Sequence, residues 1–399
     1  MNSDSFLINK LKSAKFSVLI YLLYCFIITA TFALGNFRQL KYSIPVLIIL
    51  FWFYVGRYPL LKGRIKYLNW QFILWGIFFL YSLLALGLSG DSLFIYRSTK
   101  EFLFIISPLI IASLLFYYCD HHILKRLIKI TLWSLLFAQL FRTGIDISYI
   151  FDIKSFFITS KTNTESTFAL AYGLLFFFFF LEKNWWYSAI SFLLVIIGGK
   201  RIVLATVVLL AIALPFIYRL FKKKKWLLFL GIGLFNVFVI SFYIILANGF
   251  LDNLIYSATG LSIEYITKGR TSVYSLVIEN TGYIKAIGDG LGFTSSILQK
   301  SDFILELMHS DILKLYLELG VFGLTAYLIS IYLLGLSNVK SLIIVTYINI
   351  IMSTGNPLIY FHVMTIFYVI IIFYLRSNKN EKLKSIRFIT PKVRNSSDN

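Results

Sequence analysis

The chain has 399 residues, 59% hydrophobic, 18% aromatic and only 14% charged, with a formal net charge of +20. Soluble domains are nearer half apolar and a quarter charged, so this composition excludes an ordinary globular protein and predicts an all-α, polytopic integral membrane protein. The basic excess does not argue for nucleic acid: it falls in short segments between apolar runs, where it orients the chain and meets anionic headgroups, and no segment offers a basic soluble face.

Apolar runs fall at 16–34, 43–56, 70–88, 101–118, 127–141, 166–181, 186–198, 202–218, 226–247, 310–334, 339–352 and 357–375. They predict about twelve transmembrane helices, of which the second, seventh and eleventh are short. The N-terminus, Lys10, Lys12 and Lys15 followed by Phe16 to Leu34, has the outline of a signal sequence. It lacks a small-residue cleavage site, so the expectation is an uncleaved first span. Placing that N-terminus in the cytoplasm puts the main basic clusters between spans on the same side: Arg57 to Lys66, Lys125 to Lys129, and Arg219 to Lys225. That distribution follows the positive-inside rule and makes both termini cytoplasmic. Residues 1–375 then form a single transmembrane domain, and 376–399 a polar, basic, disordered tail. Cys25 and Cys119 lie outside the predicted external loops and imply no disulfide framework.

Two external segments carry polar residues. One runs from Arg142 to Glu165 and includes Asp146, Asp152, Lys154 and Lys161. The larger one, about 248–309, lies between the ninth and tenth spans. In it, Ser272 to Asn280 places Val273, Leu276 and Val277 on one helical face, which predicts a short interfacial helix. Gly288, Gly290 and Gly292 break the helical pattern, and Ser295 to Met308 is a second amphipathic piece.

His309 stands just ahead of the tenth span, with Ser310 or Asp311 as the N-cap. A helix N-terminus attracts anions and favours neutral imidazole, which is the form a general base needs. The plainer alternative is a histidine that only caps or hydrogen-bonds a loop. Asp311, Lys314 and Glu318 follow at i, i+3 and i+7, a polar stripe in a span. Charges at that depth must be paired or face a wet cavity. The stripe is therefore either a substrate-facing wall or a self-satisfied Lys314–Glu318 pair.

Lys200 and Arg201 follow Gly198-Gly199 in a tight turn at the start of the eighth span. Two cations at a helix N-terminus make a corner suited to phosphate, or else anchor lipid headgroups. Arg270, in Lys268-Gly269-Arg270-Thr271, is weak by itself but falls on the same side of the predicted topology. Arg97 and Lys100, at the outer start of the fourth span, either extend that cationic surface or are plain loop charges. Gly288 to Gly292 is not a nucleotide fingerprint, since it follows no strand and precedes no Gly-Lys-Ser/Thr. No metal-ligand motif and no cofactor motif occurs.

The order GGKRIVLATVVLL, KGRTSVYSLVI, GDGLGF and HSDILKLYLELGVFG resembles the O-antigen polymerase and O-antigen ligase family of bacterial envelope glycosyltransferases. The resemblance covers mainly residues 198–323; Phe16 to Leu181 shows no matching motif. It implies an inner-membrane enzyme with a periplasmic site, acting on undecaprenyl-pyrophosphate-linked oligosaccharides without a metal or cofactor. Arg201 and Arg270 would then bind the pyrophosphate, and His309 would assist attack by the acceptor hydroxyl in an inverting transfer. Lys200, Asp311 and Lys314 would contribute to substrate binding. Gly-Lys-Arg stands where many relatives have Ser-x-Arg, which is why Lys200 is included. Polymerisation of lipid-linked repeat units is the preferred activity, with ligation to lipid A–core as the alternative. A lipid-linked oligosaccharide flippase is a third, different class, although no repeated halves are visible. Membrane lipid and a polysaccharide chain-length regulator are the expected partners.

Overall fold

The computed structural model describes residues 3–33, 43, 45, 46, 49, 66–89, 92–143, 167–267, 269–282, 284–301, 307–336 and 338–389. The predicted second span, apart from those isolated positions, lies outside the described residues, as do Asp146, Asp152, Lys154, Lys161 and the chain beyond 389.

Among the described residues the fold is all-α, without a strand. The first half contributes α1 (Ser3–Ala33), α2 (Lys66–Ser89), α3 (Ser92–Tyr118) and α4 (His121–Thr143), then α5 (Phe168–Leu181) and α6 (Trp185–Ile197). Two long helices follow, α7 (Arg201–Lys223) and α8 (Lys225–Ala247). Four short ones fill the large polar interval: α9 (Asp252–Thr259), α10 (Ile263–Thr267), α11 (Arg270–Thr281) and α12 (Phe293–Lys300). The chain closes with α13 (Asp311–Gly335), α14 (Val339–Thr354), a 3-10 turn at Pro357–Ile359 and α15 (Phe361–Ile389). Among the described residues, five helices are long and apolar enough to cross a membrane, namely α3, α7, α8, α13 and Leu68–Ala85 within α2. Shorter apolar stretches occur in α1, α5, α6, α14 and α15. The architecture is that of an all-α membrane protein.

Burial separates the central helices from the peripheral ones. α5 reads FALAYGLLFFFFFL and is buried at every position except Phe180; a helix apolar on all sides belongs in the interior of a bundle. It packs against α4, α6, α7, α14 and α15. α8 is also strongly apolar but buries only Asn236, Val239, Tyr243 and Leu246, so most of its surface is left for lipid.

α13 is broken at Gly320, where φ is +72°. A break inside a span strands backbone groups that hydrocarbon cannot satisfy. Here the glycine-rich segment ahead of α12 crosses the break and takes them up. Val321 N–H donates to the Lys285 carbonyl at 2.9 Å, Phe322 N–H to Ala286 at 3.3 Å, and Gly290 N–H to the Glu318 carbonyl at 2.8 Å. The crossing is close enough that a Cβ on Gly288 would lie 2.2 Å from the Glu318 carbonyl carbon. The two glycine motifs therefore serve one backbone-to-backbone crossing.

Two expectations change. The Ser272–Asn280 helix exists as part of α11, but it buries Val273, Tyr274, Val277 and Ile278 and packs on α8, so protein rather than the membrane interface covers its apolar face. The second amphipathic piece, Ser295 to Met308, starts within α12 (Phe293–Lys300), and its residues 302–306 lie outside the described residues. The tail expected to be disordered from 376 instead continues α15 to Ile389. Lys, Glu and Leu are good helix formers, and extending an existing helix avoids the nucleation cost. Arg376 anchors this extension by donating to the carbonyls of Phe116, at 2.7 Å, and Cys119.

Candidate functional site: a cation-lined cavity beside a broken helix

Lys200, Arg201 and Arg270 line a single cavity of about 400 Å³. The Gly198-Gly199 turn sets up the first two. It reverses the chain after α6, and Lys200 becomes the extended N-cap of α7. A lysine has no acceptor to offer helix N–H groups, so this helix start is not capped by its own N-cap side chain and keeps its attraction for anions. Arg270 enters from α11, whose start is set by Gly269 in the left-handed region at φ +76°.

The other walls come from the ends of α8 and α14: Phe242, Tyr243 and Leu246 from the former, Thr354 from the latter. Ile255, Ile263 and Ile266 complete the apolar part. No carboxylate is among the lining residues, and Arg270 makes no ion pair among the described residues. Three cations drawn to one cavity repel one another, and a bound anion would lower that cost.

α11 keeps acid away from this cavity. Arg270 and Tyr274, one turn apart, face it, whereas Ser272, Ser275 and Glu279 face a separate cavity of about 320 Å³ that also has Asp252 and Glu264 in its wall. Glu264 is engaged by the Ser272 hydroxyl.

His309, Asp311 and Lys314 do not line the cation cavity. His309 adopts left-handed backbone geometry, φ +53°, which is uncommon for a residue with a Cβ and marks a constrained turn. Ser310 caps α13, its Oγ accepting from Leu313 N–H at 3.2 Å. Asp311 ties this turn to the end of α14: its N–H donates to the Gly355 carbonyl at 3.0 Å, and its Oδ2 accepts from Leu358 N–H at 2.7 Å. Gly355 directly follows Thr354, so the His309 turn is fastened next to a residue of the cavity wall.

Lys314 and Glu318 point elsewhere. Lys314 Nζ pairs with Glu101 of α3 and lies 3.8 Å from Glu318 Oε2. Glu101 also accepts from Ser295 Oγ at 2.8 Å, and Glu318 Oε1 accepts from Thr294 Oγ1 at 2.6 Å and its N–H at 3.2 Å. The stripe is thus a buried network binding α3, α12 and α13 together, wider than the Lys314–Glu318 pair alone. Arg97 also belongs to packing between helices, its Nε donating to Gln299 Oε1 at 2.7 Å.

Sequence reasoning did not single out Tyr243, Tyr274 or Thr354. The available signal was spacing: Tyr274 is four residues after Arg270 and therefore on its face of a helix. Tyr243 and Thr354 lie at the ends of apolar runs, and nothing local distinguishes them.

No protein-family model, curated protein or solved structure matches the chain.

Proposed function

We propose that this protein is a membrane-embedded glycosyltransferase of the O-antigen polymerase type. It would transfer a growing glycan from undecaprenyl pyrophosphate onto a lipid-linked repeat unit at the periplasmic face of the inner membrane, with about twelve spans and both termini cytoplasmic. The carrying observation is the convergence of Lys200, Arg201 and Arg270 from two separate segments on one cavity whose lining contains no carboxylate. Pyrophosphate is the leaving group in such a transfer, so negative charge grows on its oxygens in the transition state. Cations already held in place stabilise that charge without reorganising. Attack by an acceptor hydroxyl needs its proton removed, and His309 is the candidate base.

A second feature supports a lipid-linked donor. α8 contributes to the cation cavity at its end and, along its length, to an apolar groove of about 840 Å³ shared with α13. Phe229, Ile232, Val237, Ile240 and Ile244 line the groove along α8, and Leu324 and Leu328 along α13. Such a surface suits an isoprenoid tail whose phosphates lie at the helix end.

The test is a lipopolysaccharide gel of a strain lacking this protein, complemented with the wild type or with His309→Ala. Loss of the ladder with core plus one repeat unit remaining is the expected result for the deletion and for His309→Ala. Loss of all O-antigen down to bare core would reassign the protein to ligation. An unchanged ladder in the deletion strain would remove O-antigen polymerisation.

A further inference from the structure

Tyr274 is 1% exposed, yet it lines the cation cavity. Its phenol oxygen is buried without a hydrogen-bond partner among the described residues. Leaving a buried hydroxyl unsatisfied is costly, and the cost is removed when a ligand accepts the proton. The ring is fixed in place: it meets Tyr243 edge-on, with centroids 4.8 Å apart, and Tyr243 itself donates to the Ser353 carbonyl at 2.6 Å. The Tyr243 hydroxyl thereby gives its proton to the end of α14, and the Tyr274 hydroxyl, with the Tyr243 oxygen beside it, makes no hydrogen bond to the backbone among the described residues. Arg270, one turn earlier on α11, lies on the same wall.

We propose that Tyr274 is a substrate-binding residue whose hydroxyl donates a hydrogen bond to a phosphate oxygen of the diphosphate held by Arg201 and Arg270. The proposal rests on the reading of this cavity as a diphosphate site. Burial, with Tyr243 alongside, pushes the Tyr274 phenol up, and Arg270 opposes this. The group therefore stays protonated, as a donor must. Being neutral, it adds a directional contact without adding to the repulsion among the three cations.

The experiment is binding of a short-chain polyprenyl diphosphate to the purified full-length protein in detergent, comparing wild type, Tyr274→Phe and Arg270→Ala. Phenylalanine keeps the ring against Tyr243, and an unchanged melting temperature verifies this. A hydrogen bond to a charged group corresponds to a loss of about 10-fold or more in affinity for Tyr274→Phe. Arg270→Ala is expected to lose at least as much. Wild-type affinity in Tyr274→Phe with weakened binding in Arg270→Ala would overturn the role of Tyr274 and leave the diphosphate site standing. No binding by the wild type, or equal binding by all three proteins, would overturn the diphosphate site and this proposal together.

Discussion

Two clusters of charge in the protein differ in one respect: whether carboxylates stand among their side chains. Around Lys314, one cation meets Glu101 and Glu318, and the hydroxyls of Ser295 and Thr294 take up carboxylate oxygens. Around Arg270, three cations share a cavity wall that holds no acid. The first cluster carries its own opposite charge, and its burial near the start of α13 favours this, since a membrane interior penalises unpaired charge. The second presents its cations to a cavity that suits an anion. Side chains of the same type therefore do different work, and their partners decide which.

Removing Lys314 should have the largest effect on stability. Lys314→Met leaves two buried carboxylates facing each other and should cost about 3–5 kcal/mol, read as loss of folded protein from membranes and a lower melting temperature in detergent. Adding Glu101→Gln and Glu318→Gln to Lys314→Met should recover most of that loss, because the cost lies in uncompensated charge. Failure of the triple variant to recover would mean that the cluster does more than pack helices together. Gly288→Ala tests the crossing beneath it. Its Cβ would collide with the Glu318 backbone, and a loss of about 1–3 kcal/mol is expected from overpacking. Asp289→Asn is the smallest perturbation. Its pair with Lys285 is part-exposed, at 31% and 14% respectively, and a melting temperature change equivalent to less than about 1 kcal/mol is expected.

The sequence made local features legible and long-range partners illegible. The helix start at Arg201, the helix around Ser272–Asn280 and the Ser310 cap each follow from neighbours within one turn, so spacing alone reveals them. Glu101 is 213 residues from Lys314, and no periodicity connects them. The stripe of Asp311, Lys314 and Glu318 therefore looked equally suited to a substrate wall and to a closed pair. For the same reason the break at Gly320 was hidden, because it depends on the carbonyls of Lys285 and Ala286 arriving from another segment. Tyr243 and Thr354 became part of the cavity only through the way α8 and α14 end beside α7. The continuation of α15 to Ile389 was missed for a different reason: polarity was read as disorder, although Lys, Glu and Leu extend a helix readily.

The most direct test of the central claim pairs activity with stability in Arg201→Ala and Arg270→Ala. O-antigen chain length and the melting temperature in detergent would be measured for each variant at equal protein level. A cation that serves a bound diphosphate should be dispensable for folding and essential for transfer. The expected result is polymer formation reduced by about 100-fold or more with the melting temperature unchanged. Full-length polymer from either variant, or loss of polymer that merely tracks loss of folded protein, would contradict it.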